Sequence, residues 1–591
     1  MLDETLLGGV SIFPACHAPL AMAACNPSGG IHIMKVGDAI AEILKREGVE
    51  IVFGYPVNHV LEHAAVADIR PIIVRQERIG LHMADAVSRL SSGKKIGVFV
   101  MQLGPGAENS YGAVAQAYAE SVPVLVMPGG YPRKLAHVSP NFNSSISMRD
   151  VSKSAEPINV PADIPAIFRR AFTQLRNGRG GPVIVEIPND IWDQDVPEPL
   201  DYRPVLATRF GPEPSAVDEA VEMLLAAKRP VIYAGQGVHY ARAWPQLRAL
   251  AERLAIPVCT SLEGKSAFPE DHPLALGSGG NAIPKSVRHF LDKADLIFGI
   301  GCSFTESSFA VQMPPAKKVI HATLDPAHVN KDYEAEVALI GDAALTLDAV
   351  LERLDRRKVA QRAWTGPADE IAGVRASWLK EWMPKLTSNE NPMTPYRVLW
   401  DLQKTVDVAN TIITHDAGSP RDQLAPFWVS TEPLTYIGWG KTTQLGYGLG
   451  LAMGAKIAHP GKLCINVWGD AAIGFTGMDF ETAVRERIPI LSVLLNNFSM
   501  AMELPIMGVS TEKYRSTDIS GNYADFAKAL GGYGERVTDP SEIIPAIKRA
   551  IAQTEAGVPA LLEFITCKEL AASKYPYRAP EADPAEDKHY V

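Results

Sequence analysis

The stretch from Leu463 to Glu503 constrains the fold most. An apolar run from Leu463 to Trp468 stops abruptly at Gly469-Asp470, and a second, Ile488 to Leu495, stops at Asn496-Asn497. Between them lie a small-residue loop (Ala471, Ala472, Gly474, Gly477) and a helical pattern from about Met478 to Arg487. Strand, loop, helix, strand is the crossover unit of a parallel sheet. Such a sheet is covered by helices and binds ligands at the carboxyl ends of its strands, where this stretch places its polar residues. A carboxylate beside a carboxamide offers hard oxygen donors suited to Mg²⁺, and a loop of small residues lets backbone approach a phosphate. A plain crossover with polar strand ends is the simpler alternative for this stretch alone.

The same alternation runs through the chain. Met34 opens the periodic part, with an amphipathic helix over Val36 to Glu47 and strand-like runs at Ile51 to Phe53, Pro71 to Val74, Ile96 to Met101, Val122 to Val126 and Pro182 to Ile187. A second series follows at Pro230 to Tyr233, Ile256 to Cys259, Leu296 to Gly299 and Lys318 to His321. At 591 residues the chain exceeds one core. The expected fold class is α/β, with three consecutive doubly wound parallel-sheet domains over 34–195, 205–354 and 395–570. A charged linker segment over 355–394 that looks helical or linker-like, an N-terminal extension over 1–33 and a mobile tail over 571–591 complete the organisation. Gly235 and Gly237 read as a strand-to-helix turn rather than a dinucleotide fingerprint, because Tyr240 stands where the third glycine would be.

Charge and cysteines narrow the function classes. A net charge of −10 argues against a nucleic-acid surface. No apolar run approaches the roughly 18 residues a membrane helix needs. The six cysteines are scattered without a CxxC pair, which fits a reducing, cytoplasmic setting. Residues 1–33 contain no Lys or Arg, unlike a secretory or transit signal, and Met34 is an alternative start.

Asn497 follows Asp470 by 27 positions. Gly-Asp, about two dozen residues, then Asn-Asn resembles the motif of thiamine diphosphate-dependent enzymes, with Ala471 in place of the usual third glycine. Val74-Arg-Gln-Glu77-Arg-Ile-Gly80 resembles the segment around that family's activating glutamate. Val52-Phe-Gly-Tyr-Pro56 and Leu103-Gly-Pro-Gly-Ala-Glu-Asn109 resemble turns of the acetolactate synthase branch. Asp416-Ala-Gly418 and Gln444-Leu-Gly-Tyr-Gly448 match the family's diphosphate loop and the turn that props the cofactor. The resemblance implies pyrimidine-binding, central Rossmann-like and diphosphate-binding domains, in that order. It implies Mg²⁺ ligation by Asp470, Asn497 and the Ser499 carbonyl. Gly418, Ser419, Leu445, Gly469, Ala471, Ala472 and Met500 would contact thiamine diphosphate. Glu77 would hydrogen-bond the aminopyrimidine and favour the tautomer that removes the thiazolium C2 proton. It also implies a homodimer or homotetramer with active sites between subunits, and leaves FAD or ADP in the central domain undecided.

The reaction is less constrained. The first domain resembles acetolactate synthases, so decarboxylation and carboligation of a 2-oxo acid leads. The loop Gly469 to Met478 with Glu481-Thr482 resembles 2-hydroxyacyl-CoA lyases and oxalyl-CoA decarboxylases, which is the alternative. Glu503, six residues past Asn497, sits where decarboxylases carry a glutamate near the reacting carbon. Asn58, His59 and Gln102 are further candidates for the catalytic centre, each with a plain loop-packing alternative. Arg421 could place charge against phosphate or lie on the surface. A scaffold protein that retains the fold without catalysis is disfavoured by the joint presence of Glu77, Asp470 and Asn497.

Overall fold

Three six-stranded parallel sheets organise residues 34–363 and 365–577, the residues described by the computed structural model. The first sheet is built, in chain order, from Ile51–Gly54, Arg70–Ile73, Gly97–Met101, Val124–Gly130, Ser154–Pro157 and Val183–Pro188. In space these strands lie 2-1-3-4-6-5. The third sheet repeats that order with Thr411–His415, Tyr436–Ile437, Leu463–Gly469, Leu491–Asn496, Tyr533–Val537 and Ala560–Ile565. The central sheet, Pro230–Ala234 through Val337–Ile340, instead lies 3-2-1-4-5-6. Every one of these sheets changes direction beside its first strand. That switch point is where a doubly wound fold opens a crevice for ligands.

Most strands are buried on both faces, which explains their continuous apolar runs. Ser154–Pro157 carries no apolar signal; it is an edge strand, the position that tolerates its closing proline.

The first and third domains share a core instead of keeping separate ones. Helix Glu77–Leu90 is buried on nearly every side because helix Tyr447–Ala458 covers the face it turns away from its own sheet. Gly450 and Gly454 permit that approach. A Cβ on Gly450 would stand 2.5 Å from the His82 Cβ, and one on Gly454 would stand 2.4 Å from the Met83 carbonyl oxygen. Inside the contact, Asp85 holds Arg89 at 2.6 Å and accepts the Tyr447 hydroxyl, while Arg89 donates to the Gly438 carbonyl at 2.9 Å. These buried polar groups satisfy one another, as such groups must.

Two expectations need correction, and the helical reading of 355–394 gains its bounds. The small-residue loop after Gly469 is helical: Asp470–Thr476 forms an α-helix, a 3₁₀ turn spans Gly477–Asp479, and Phe480–Arg485 resumes. The alanines favour helix, and nothing after Gly469 breaks it before Gly477. The linker contains a 22-residue helix, Thr365–Leu386, that buries Trp378 and Trp382. The tail is tied down at its start, because Ile283 and Ser573 exchange backbone and side-chain hydrogen bonds at 2.8 and 2.7 Å. The 1–33 extension and the rest of the tail, 578–591, lie outside the described residues. Among the described residues no helix is long and apolar enough to cross a membrane.

Candidate active site

The third sheet's first and third strands, neighbours at the switch point, end in Asp416 and Asp470. Asp470 opens its helix with 4% exposure. Burial pushes its carboxyl up to about 6, against the pull of the Ser499, Ala471, Phe498 and Asn497 amides. The next strand ends at Asn496, after which Phe498 takes a left-handed turn (φ 57°). That turn aims the Ser499 amide at two acceptors together, Asp470 Oδ2 at 3.1 Å and Asn497 Oδ1 at 2.9 Å. The carboxylate and the carboxamide therefore converge. Among the described residues no group of three His, Cys, Asp or Glu gathers to hold a metal. What converges here is one carboxylate and one carboxamide. Oxygen donors of this kind suit a hard divalent cation.

Around this pair, Asp416 organises the loops. It accepts the amides of Ala417 at 2.8 Å, Gly446 at 2.9 Å and Gly448 at 3.0 Å, and so ties the Gly418-Ser419 loop to the turn carrying Leu445. Gly446 is left-handed (φ 85°), and a Cβ there would meet Thr476 Oγ1 at 2.7 Å. Thr476 Oγ1 donates to the Gly446 carbonyl at 2.9 Å, which joins the turn to the Asp470 helix. Leu445 is half-buried against the shared core, Ala472 is buried, and Ala471 and Gly469 are partly exposed. Met500 is exposed, and Glu503, half-buried, closes a 3₁₀ turn beginning at Ala501. Met502 of that turn reaches 3.9 Å from where a Gly418 side chain would begin.

The first domain supplies the opposite wall. Glu77 starts its helix with 6% exposure and accepts from Asn109 Nδ2 at 3.3 Å. Gly106 leaves room there, since a Cβ on it would lie 3.4 Å from Glu77 Oε1 and 3.0 Å from the Gln102 Cβ. Glu77 and Gln102 thus both lie close against Gly106. Across from them, Gln116 Oε1 accepts the Thr442 hydroxyl at 2.8 Å, and a Cβ on Gly112 would meet Gln444 Nε2 at 2.1 Å. The wall bearing Glu77 therefore abuts the turn bearing Leu445 within a single chain.

Asn58 and His59 take other roles. Asn58 donates to the Met101 and Met127 carbonyls at 2.9 and 3.1 Å and accepts the Val60 amide at 3.0 Å. Its carboxamide holds strand ends together, which makes it a positioning residue. His59 is exposed, with its ring 5.0 Å from that of Trp192. Arg421 is neither at the surface nor free. It is 2% exposed, bonds Asp422 at 2.8 Å and lies over the Phe309 ring at 4.6 Å.

Comparison with known proteins identifies the family. Residues 34–152 match the thiamine pyrophosphate enzyme N-terminal TPP binding domain, 217–350 the central domain and 416–564 the C-terminal TPP binding domain. A probable acetolactate synthase large subunit of Methanocaldococcus jannaschii is 31% identical over 90% of this chain and 92% of its own length. The chain belongs to the thiamine pyrophosphate enzyme family. This thiamine diphosphate-dependent enzyme is also 30% identical to the acetolactate synthase isozyme 3 large subunit of Escherichia coli, over 88% of this chain and 93% of that one. The acetolactate synthase large subunit of Corynebacterium glutamicum is 30% identical over 93% and 89%.

The enzyme has a second recess. A 660 Å³ cavity opens at the strand ends of the central sheet, bordered by Gly235, Gly301, Asp325, Arg179, Tyr240 and Lys441. Gly235 and Gly237 do form a tight turn: a Cβ on either would fall within 3 Å of Gly301 backbone. They line the cavity as well. Sequence reading missed this recess because only the fold brings 94, 176, 235, 325 and 441 to one place. The contact made by Gly450 and Gly454 had a signal, two glycines four positions apart on a helix.

Proposed function

We propose that the enzyme joins two 2-oxo acids, releasing carbon dioxide from one of them. The observation that carries this reading is the approach of the Glu77 wall to the Asp416–Asp470 loops. Asp470, Asn497 and the Ser499 carbonyl would hold Mg²⁺, and Gly418, Ser419 and the Asp470 helix would receive a diphosphate. Thiamine diphosphate, when bound, supplies a nucleophilic carbon and an electron sink for cleavage next to a carbonyl. Glu77, whose carboxylate accepts from Asn109 on the far side of the cleft, would exchange a proton with the aminopyrimidine. Leu445 keeps water from the centre and sets the spacing between the walls. Glu503, half-buried on a turn that leans on the diphosphate loop, carries the proton exchanged at the substrate oxygen. Gln102 contributes a polar group beside Glu77. The relatives named as acetolactate synthases favour two 2-oxo acids over a CoA thioester as substrates.

The test is turnover. With Mg²⁺ and thiamine diphosphate, pyruvate should yield carbon dioxide and a 2-hydroxy-3-oxo acid in equal amounts, and Glu77→Gln should lower kcat by about 10²-fold or more. Turnover of 2-hydroxyacyl-CoA thioesters alone would overturn it.

The central cavity is read as the seat of FAD or ADP. It lies at a dinucleotide switch point and carries Arg179, Arg176 and Lys441, cations suited to a diphosphate. Absorbance at about 450 nm in the purified protein decides for flavin. We also read the enzyme as a cytoplasmic homodimer or homotetramer in which two chains exchange these walls. Exchange of identical elements leaves every contact between them unchanged.

A further inference from the structure

Val57 is the β-branched residue with a left-handed backbone (φ 72°) among the described residues. In that conformation the branched Cβ crowds its own backbone, so a valine there is strained. Nothing in the packing offsets the strain, because Val57 is 70% exposed. The loop does not yield either. Tyr55 donates its amide to the Val100 carbonyl at 3.3 Å, and Asn58 anchors the other side through Met101, Met127 and Val60. A glycine would fit the same loop without strain.

The position of Val57 says what the side chain is for. It follows strand Ile51–Gly54, which neighbours Gly97–Met101 at the switch point of the first sheet. Asn58, the next residue, is bonded to Met101, and Gln102 after it lies against Gly106, as Glu77 does. Val57 therefore sits on the same strand-end rim as Glu77. Strain that persists at such a rim, held by rigid neighbours, marks function. We infer that Val57 is a specificity-determining residue, whose isopropyl group meets the side chain of the 2-oxo acid and limits its size. This rests on the 2-oxo acid reading of the site.

The test compares Val57→Gly and Val57→Ala with the wild-type holoenzyme. The first readout is kcat/KM for pyruvate, 2-oxobutanoate and 4-methyl-2-oxopentanoate, with 2-hydroxyacyl-CoA thioesters of two chain lengths run in parallel. Val57→Gly removes both the strain and the side chain. It should shift the long-to-short ratio about tenfold toward the longer acyl group and raise Tm by about 2 °C. Val57→Ala keeps the Cβ and should move the ratio in the same direction without raising Tm. Ratios within about twofold of wild type in both variants overturn the assignment. A fall in Tm for Val57→Gly also overturns it, by removing the strain argument. If the wild type accepts only thioesters, the 2-oxo acid reading fails on its own, and Val57 is still judged by the ratio among thioesters.

Discussion

The carboxylate of Asp416 accepts the amide of Gly446 at 2.9 Å, 30 residues away in the chain. With the Gly448 and Ala417 amides on the same carboxylate, this bond sets the Gly418-Ser419 loop against the turn that carries Leu445. Two loops of the proposed cofactor site are thus positioned by one buried anion.

That anion makes stability depend on pH. Burial raises the Asp416 carboxyl to about 6, whereas the unfolded chain titrates near the ordinary value of about 3.9. The folded protein binds this proton more tightly, so the group's stabilising contribution is complete below about pH 4 and is lost as pH rises through 6. Asp416→Asn does not titrate. The stability of the wild type relative to this variant should fall by about 2 kcal/mol between pH 4 and 7, measured by denaturant unfolding of both proteins.

Gly446→Ala should be costly at a site that looks permissive. The new Cβ would need a left-handed backbone and would meet Thr476 Oγ1 at 2.7 Å and Cγ2 at 2.8 Å. A loss of about 1–3 kcal/mol is expected. Because the displaced turn carries Leu445, thiamine diphosphate affinity should fall with it, as read by calorimetric titration.

Asp470→Asn preserves shape while removing the carboxylate that converges with Asn497. Mg²⁺-dependent binding of thiamine diphosphate should weaken by at least about tenfold, since even outer-shell changes at metal sites cost that much. Chelation of the wild type should release the cofactor, and added Mg²⁺ should restore it. Cofactor binding that is indifferent to both treatments would contradict the ligand assignment.

Mixing two inactive variants locates the walls of each site. If subunits exchange walls, Glu77→Gln and Asp470→Asn chains refolded together form mixed dimers with one intact site. About a quarter of wild-type activity should then return. If each chain builds its own site, every site in the mixture carries a defect and no activity returns.

Local pattern determined a good deal. Apolar runs ending in Gly469-Asp470 and Asn496-Asn497 were enough for the parallel sheets, because a buried parallel strand is apolar throughout and ends where ligands bind. The short strand before Glu77 was legible for the same reason. The helix after Asp470 was not, since small residues between a strand and a helix read equally as loop. Only tertiary structure decided what the side chains do. Asn58 became a clamp because two strand-end carbonyls lie within its reach, and Asp416 became a hub because three amides from two loops do. Such roles depend on residues far apart in the chain, and no local periodicity records them. The opening stretch, Leu463 to Glu503, announced its strands and their polar ends in its own residues. The Leu445 turn and the helix that Glu77 begins come together only through packing of the first and third domains on a shared core.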